Sequence, residues 1–180
     1  MGSGSARIVY QIDNDKVLKL AKNKKGIAQN DAEGEWYWQR YGIFAHVIDI
    51  HPESQWIEME LAKKAKLSDF DKILNLPHAF HEYVCPYIKM VCNRYDYKRI
   101  RFIEADKEKE LQQLEESPDY EDTIFSDLEH YLTDSQLTAI GDLIRLSSWG
   151  IVKRDGKDTL VLVDFGYTDW VRDEYYIKSK

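Results

Sequence analysis

The chain has 180 residues, with 25 Lys and Arg against 32 Asp and Glu, which gives a formal net charge of −7. Hydrophobic residues make up 43% and aromatic residues 13% of the sequence, and this composition argues against a chain that is disordered throughout. The length suits one domain, or two small lobes that share a core. The acidic balance argues against duplex DNA as a partner, because phosphate binding needs clustered Lys and Arg.

Hydropathy and cysteine content indicate where in the cell the protein is expected. No apolar run approaches the roughly 18 residues of a membrane-spanning helix, and no signal peptide is expected before the fold. Cys85 and Cys92 lie seven residues apart, and one straight helix would hold them roughly 10 Å apart, too far for a disulfide. We therefore expect no membrane and a reducing, cytoplasmic location.

The first 62 residues predict a β-rich lobe. Alternating apolar residues and turn signals such as Asp13-Asn14-Asp15 indicate the order strand, strand, helix, strand, strand. Residues 23–26 read as a polar break, and Gly42 suits the end of the helix. The predicted strands are 7–12, 16–21, 44–50 and 55–61, and the predicted helix is 27–41.

The rest of the chain predicts helices followed by a hairpin. Ser68 is a candidate N-cap, Pro86 predicts a kink or break, and Thr133 or Asp134 suits the cap of the last helix. The turn Arg154-Asp155-Gly156 joins two short strands, 149–153 and 159–163. The predicted helices are 67–74, 78–95, 104–116, 126–132 and 135–146, with an acidic loop at 117–122.

Several short motifs, taken in chain order, resemble those of the protein-kinase family. Gly2-Ser-Gly-Ser-Ala-Arg-Ile-Val-Tyr10 resembles a glycine-rich loop, and Lys16-Val-Leu-Lys19 resembles the strand with the phosphate-binding lysine. Asp164-Phe165-Gly166, after an apolar strand, matches the metal-binding motif of the family letter for letter. Each motif alone is weak, but their order and their element context together are those of a kinase. The resemblance covers residues 2–61 and 135–167.

The resemblance implies an α+β, protein-kinase-like fold. Residues 1–62 would form a small antiparallel β-rich N-lobe, and residues 63–180 a reduced, mainly helical C-lobe with a β-hairpin before Asp-Phe-Gly. Only 16 residues follow Asp164, where a typical kinase has an activation segment and peptide-binding helices. The chain is therefore most similar to the minimal kinase-like proteins of phages and bacterial mobile elements.

The glycine loop would bring backbone N–H groups to the phosphates of ATP. Gly2 and Gly4 are the expected contacts, followed by Arg7, which stands where the family has its third glycine, and by Val9. The first strand of the family is expected to be missing or much shortened. Alternatively, residues 1–5 are a remnant of expression rather than a native segment.

Lys19 is the lysine expected to reach the α- and β-phosphates, because it shares a strand face with Val17. Kinases pair this lysine with a carboxylate of the following helix, for which Glu33 and Glu35 are the candidates. We prefer Glu33, which lies on one helix face with other polar residues. The alternative is a solvated helix face paired with Lys24 and Lys25.

The strand 56–62 resembles the one that leads into the adenine-binding hinge. Met59 would lie at the back of the pocket, and Glu60, Leu61 and Ala62 would form the hinge. An ordinary core strand would have the same sequence, because backbone contacts to adenine leave no side-chain signature.

The resemblance assigns Mg²⁺ to Asp164, whose hard oxygen ligands suit that cation, although an aspartate after a strand can also be a simple turn residue. Asp142 occupies about the place of the catalytic base, and Arg145 could replace the loop lysine. The position of the metal-binding asparagine falls at Ser147 or Ser148. The pattern predicts a helix through Asp142, so that Asp142 is alternatively a surface residue rather than a catalytic base.

Three functions are compatible with these residues. The first is an ATP- and Mg²⁺-dependent phosphotransferase that uses Lys19, Glu33, Asp164 and Asp142. The second is a pseudokinase that acts by binding a protein partner, with the acidic segment 104–122 and the aromatic residues Trp170, Tyr175 and Tyr176 as contact surfaces. The third is a structural α+β protein in which the motifs are coincidental.

Overall fold

The computed structural model describes residues 2–35, 40–94, 101–135 and 140–177. Within these residues the fold is α+β, with six α-helices and two antiparallel sheets. The strands are β1 (Gly2–Ser3), β2 (Arg7–Gln11), β3 (Lys16–Ala21), β4 (Val47–Ile50), β5 (Trp56–Glu60), β6 (Lys63–Lys64), β7 (Trp149–Arg154) and β8 (Lys157–Leu162). The helices are α1 (Lys24–Gly34), α2 (Leu67–Leu74), α3 (Cys85–Asn93), α4 (Ala105–Glu115), α5 (Ile124–Ser135) and α6 (Asp169–Arg172).

The larger sheet has five strands in the order β1-β2-β3-β5-β4. The predicted hairpin of β2 and β3 is confirmed, and its turn is closed by the Asp15 backbone N–H, which donates to Asp13 Oδ1 at 3.0 Å. The strand predicted at residues 44–50 begins only at Val47, because Phe44 forms an isolated bridge to Leu162 instead. A two-residue β1 pairs with β2, so the glycine-rich segment is the tip of a short hairpin.

The first helix begins earlier than predicted. Residues 23–26 are its start rather than a polar break, because Asn23 is the N-cap. Its Oδ1 accepts from the backbone N–H of Lys25 at 3.0 Å and from that of Gly26 at 3.2 Å. The helix ends at Gly34, so Gly42 does not end it, and residues 36–39 of the predicted helix lie outside the described residues.

In the C-terminal part, one predicted helix is divided in the structure, and the predicted cap of another differs. The stretch 78–95 divides into a π-helical turn, Phe80–Val84, and α3. Pro86 lies in the first turn of α3, where a backbone N–H has no partner within the helix, so that the lack of an N–H in proline costs no hydrogen bond. Its last residue, 95, lies outside the described residues. Helix α2 has the predicted bounds, but Lys66 rather than Ser68 precedes its first turn, and the Lys66 N–H donates to Asp69 Oδ2 at 2.8 Å.

The helix predicted at residues 135–146 does not run through Asp142. Helix α5 extends through the residues predicted to cap that helix, residues 136–139 lie outside the described residues, and residues 140–144 form a turn. The turn is held by a side-chain bond from six residues further along the chain, because the Trp149 indole Nε1–H donates to the Leu143 carbonyl at 2.8 Å. A pattern of apolar spacing could not reveal this bond, and the outcome is a loop at Asp142.

The two sheets share one core. Phe44, Trp149 and Phe165 are buried in the same cluster of apolar side chains, with contributions from α2, α3 and α5. The smaller sheet, in the order β6-β7-β8, lies beside the entry to β4, where the Ala45 N–H donates to the Leu162 carbonyl at 3.0 Å. This junction carries the chain from β8 directly under α1. None of the helices described is long and apolar enough to cross a membrane.

Candidate functional site

A cleft of about 1010 Å³ separates the larger sheet from the helical part of the molecule. Eleven of the twelve predicted site residues line it, although they come from opposite ends of the chain. These are Gly2, Gly4, Arg7, Val9, Lys19, Met59, Glu60, Leu61, Ala62, Asp142 and Asp164. The twelfth, Glu33, is fully buried behind the cleft and bonds to two of its lining residues.

Lys19 projects from β3 towards the cleft, as the strand alternation predicted. Its Nζ donates to Glu33 Oε2 at 2.6 Å and to the Val163 carbonyl at 2.6 Å. Lys16, on the opposite face of the same strand, pairs instead with Glu58 at 2.8 Å. Burial lowers the pKa of Lys19, and the neighbouring charge of Glu33 opposes that effect.

Glu33 is the centre of the site. Besides Lys19, the Arg7 guanidinium reaches it with two bonds, Nη1 to Oε2 at 2.8 Å and Nη2 to Oε1 at 3.0 Å. Oε1 also accepts the backbone N–H of Phe165 at 3.2 Å and that of Gly166 at 3.1 Å. The alternative candidate, Glu35, is exposed beyond the end of α1.

The charge of Glu33 is strongly stabilised in the folded protein. Burial alone would raise the pKa of this carboxyl, but the Arg7 and Lys19 charges and their hydrogen bonds outweigh burial and lower the pKa to about 2. The carboxylate therefore holds the sheet, α1 and the segment after β8 together by charge-assisted bonds.

Arg7 lines the cleft, and its guanidinium is bound by carboxylates of the protein. Its side chain is only 8% exposed, and besides Glu33 it contacts Asp164 Oδ1 through Nη2 at 2.5 Å and Asn30 Oδ1 through Nη1 at 3.3 Å. Burial lowers the pKa of Arg7, but the charges of Glu33 and Asp164 outweigh this and raise it. The sequence predicted only that Arg7 lies near a phosphate, and no local signal pointed to these partners.

The glycine loop also differs in detail. The Gly4 backbone N–H donates to the Arg7 carbonyl at 2.9 Å and closes the turn between β1 and β2. It is therefore not the free donor to phosphate that the resemblance implied. Gly2 lies opposite Val9 in the strand pair, at the edge of the cleft.

The segment Asp164-Phe165-Gly166 joins the end of β8 to the underside of α1. Phe165 is buried against Phe44, with ring centroids 4.5 Å apart, while the side chain of Asp164 is 48% exposed and faces the cleft. Gly166 lies so close to α1 that a Cβ atom there would be 2.5 Å from the Gln29 carbonyl oxygen. This close approach is the physical reason for glycine at the third position.

Asp142 lies in the cleft on the turn that replaces the predicted helix. Its Oδ1 accepts from Arg145 Nη1 at 3.0 Å. Burial and the nearby charge of Asp164 raise the pKa of Asp142, against the opposing charge of Arg145. Of the two serines considered for the asparagine position, Ser147 lines the cleft and Ser148 is buried beneath it.

The predicted hinge borders the apolar end of the cleft. Met59 is buried opposite Val17 in the β3–β5 pair. The N–H of Glu60 donates to the His46 carbonyl at 2.8 Å, and that of Leu61 to the Asp15 carbonyl at 2.7 Å. Both donors are therefore already used within the protein.

The cleft contains two aromatic residues that the sequence did not assign to it, Tyr167 and Tyr176. Their rings meet edge to face with centroids 5.2 Å apart, and Lys25 Nζ lies 4.3 Å from the ring centroid of Tyr176. Tyr176 was expected on a partner-binding surface, but it packs against α1, where Gln29 Nε2 donates to its hydroxyl at 3.4 Å. Only the path of the chain after Gly166 reveals this placement.

The residues at Asp164 do not suit a protein-held Mg²⁺ ion. Mg²⁺ prefers octahedral oxygen ligands, with one or two carboxylates besides phosphate and water. One oxygen of Asp164 is already bound by the Arg7 guanidinium, which would compete with a cation for this carboxylate. The binding of Mg²⁺ at Asp164 remains a prediction, and the Arg7–Asp164 ion pair argues against it.

No protein-family model matches the chain, and no curated protein or solved structure matches it either. The functional interpretation therefore depends on the geometry of the cleft.

Proposed function

We propose that this protein is a kinase-like, ATP-binding protein and a candidate phosphotransferase. The observation that carries the proposal is the buried Lys19–Glu33 ion pair of 2.6 Å at one end of a cleft of about 1010 Å³. A lysine on a strand, a carboxylate on the next helix and an Asp-Phe-Gly segment bonded to that carboxylate form the arrangement that kinases use to hold ATP phosphates.

The lining of the cleft suits both parts of a nucleotide. Apolar side chains of Val17, Ala45 and Met59 line the cleft and would receive the base, together with the backbone of Ala62. The cationic side chains of Lys19 and Arg145 also line it and would receive the phosphates. An ammonium has three N–H donors, and Lys19 uses two of them within the protein, which leaves one for a phosphate oxygen.

Asp142 is the proposed base of the phosphotransfer. Its carboxylate would accept the proton of an attacking hydroxyl while the hydroxyl oxygen bonds to the γ-phosphorus and ADP leaves. The raised pKa of Asp142 brings its basicity closer to neutral pH, which favours proton acceptance in the transition state.

Thermal melting with and without saturating ATP tests the binding. A ligand at about 100 times its Kd stabilises a protein by about 2.7 kcal/mol, which is a Tm shift of about 5–10 °C for a chain of this size. We expect Lys19→Met to abolish the shift, since the phosphate donor is lost while Glu33 keeps Arg7 as its partner. Lys16→Met is the matched control, because it removes the same charge from the outer face of the same strand.

A shift of equal size in both variants, or none in the unchanged protein, would contradict the proposal. If ATP binds, transfer of the γ-phosphoryl group is measured next, with Asp142→Ala as the variant expected to abolish it.

A second candidate function is that of a pseudokinase that acts as a protein-interaction module. The two aspartates that line the cleft are engaged by arginines, Asp142 by Arg145 and Asp164 by Arg7, which favours binding over catalysis. Trp170 is 58% exposed and Ile177 is 51% exposed near the C-terminal end of the described residues.

This function predicts association with a protein partner that persists in Asp142→Ala and is lost in Trp170→Ala. Phe102→Ala is the matched control, because Phe102 is an exposed aromatic residue elsewhere on the molecule. Association that required phosphate transfer would exclude this candidate.

A further inference from the structure

Arg7 binds Asp164 Oδ1, one of the two carboxylate oxygens that a metal ion at Asp164 would use. The two side chains come from opposite ends of the chain, 157 residues apart, and they meet at 2.5 Å on the floor of the cleft. The Arg7 side chain is buried, yet it lines the cleft, so it lies between the interior of the larger sheet and the space available to a ligand.

Arg7 is also fixed in this position. Its guanidinium makes two bonds to Glu33 and one to Asn30, in addition to the one to Asp164. Asn30 is itself held, because its Nδ2 donates to the Ser54 carbonyl at 3.0 Å. A cation that approached Asp164 would therefore meet a guanidinium that three further bonds, two to Glu33 and one to Asn30, keep in place.

The charges of the cluster already balance. Arg7 and Lys19 carry two positive charges, and Glu33 and Asp164 carry two negative charges. A divalent cation bound to Asp164 would add two positive charges beside the buried guanidinium of Arg7, and like charges at such short range repel each other. The polyphosphate of a nucleotide, in contrast, would meet the remaining Lys19 donor and Arg145, which lines the same cleft.

We propose that Arg7 takes the place of the divalent cation at Asp164, so that the cleft binds a nucleoside triphosphate without Mg²⁺. This inference rests on the proposed nucleotide binding and specifies its cation requirement. It makes Arg7 a specificity-determining residue: a guanidinium built into the protein neutralises the carboxylate that would otherwise repel the phosphates.

The first experiment is calorimetric titration of ATP in EDTA and in excess Mg²⁺. We expect the Kd values in the two buffers to agree within about threefold, whereas a site that needs Mg²⁺ would lose at least about tenfold in affinity with EDTA. Asp164→Asn should keep or improve the affinity in EDTA, because it removes a negative charge near the phosphates and leaves Arg7 in place. The side chain of Asp164 is half exposed, so this variant is expected to fold.

The second experiment uses a metal without nucleotide. Mn²⁺ binding, followed by electron paramagnetic resonance, should be weak in the unchanged protein and at least about tenfold tighter in Arg7→Met, where Asp164 is freed. The gain should disappear in the double variant Arg7→Met, Asp164→Asn. Glu33 retains Lys19 and two backbone N–H donors in Arg7→Met, and Lys16→Met is the control for loss of one positive charge outside the cleft.

The possible failures are distinguishable. ATP binding that disappears in EDTA or in Asp164→Asn overturns the inference and leaves the proposed nucleotide binding intact. Absence of ATP binding in both buffers overturns both proposals. An Arg7→Met variant with no gain in Mn²⁺ affinity overturns the competition between Arg7 and a divalent cation at Asp164.

Discussion

At the scale of single residues, Glu33 is the predicted side chain that bonds to the largest number of other groups in the site. It receives five hydrogen bonds, from the side chains of Arg7 and Lys19 and from the backbone of Phe165 and Gly166. A buried carboxylate is unfavourable unless its lone pairs are satisfied, and here they are satisfied by two cations and two N–H groups. The site therefore depends on the charged state of one residue.

Acid should weaken the fold through Glu33. Its pKa is lowered from 4.5 to about 2 on folding, so it stabilises the protein fully above pH 4.5, and this contribution is lost as the pH falls towards 2. The difference corresponds to about 3 kcal/mol in the free energy of unfolding. Urea unfolding between pH 7 and pH 2 measures this loss, of which somewhat more than half is expected by pH 3.

The control compares two glutamates of the same helix region. Glu33→Gln should be less stable than the unchanged protein at pH 7 by about 3–5 kcal/mol, because it leaves two buried cations without their carboxylate, and it should lack the Glu33 part of the acid loss. Glu35→Gln, at an exposed position, should change the stability by less than about 0.5 kcal/mol. Equal pH profiles for the unchanged protein and Glu33→Gln would contradict the assignment.

At the scale of elements, the contact between α1 and the segment after β8 determines the floor of the cleft. Gly166 allows this segment to pass directly beneath the backbone of α1 at Gln29. The same contact brings the N–H groups of Phe165 and Gly166 to Glu33. The position of Asp164 in the cleft is therefore coupled to the position of α1.

Gly166→Ala should separate these two elements. The added Cβ would lie 2.5 Å from the Gln29 carbonyl oxygen, closer than van der Waals contact allows, so α1 or the segment must move. We expect a loss of about 1–3 kcal/mol in the free energy of unfolding and weaker ATP binding. Urea unfolding and calorimetry measure the two effects.

Gly141→Ala is the matched control, because a Cβ at Gly141 meets no atom within 4 Å although this glycine also lines the cleft. It should leave stability nearly unchanged. Equal losses for the two variants would show that backbone freedom, rather than close packing, requires glycine at position 166.

At the scale of the whole molecule, Arg154 ties the smaller sheet to the larger one. Its guanidinium donates to the carbonyls of Gly42 and Phe44, the latter at 2.6 Å, and to Glu60 Oε2 at 3.1 Å. These bonds hold the β7–β8 hairpin against the entry to β4 and against the predicted hinge. They thereby position the end of β8, from which Asp164 follows.

Arg154→Ala should loosen the connection between the two parts of the cleft. Because three acceptors lose a charged donor, we expect the free energy of unfolding to fall by about 2–4 kcal/mol. Lys153→Ala is the control, since Lys153 pairs with Asp158 on the exposed side of the hairpin and should contribute less than about 1 kcal/mol. Urea unfolding of both variants measures the two changes in the free energy of unfolding, and equal losses would contradict the role of Arg154.

The sequence by itself determined the features that depend on neighbouring residues. Strand alternation predicted which face of β3 carries Lys19, the turn residues predicted the β2–β3 hairpin, and the polar face of α1 favoured Glu33 over Glu35. These predictions succeeded because side-chain direction follows from the local period of a strand or helix. The start of α1 could also have been found locally, since Asn23 is a strong N-cap residue.

Only the tertiary structure decided which distant groups meet. The contact of Arg7 with Asp164 and the position of Tyr176 in the cleft depend on how the sheet, α1 and the C-terminal segment pack together. Local patterns carry no information on such contacts, because their geometry is set by the path of the whole chain. The ion pair on which the proposed cation requirement rests is therefore a property of the fold rather than of its motifs.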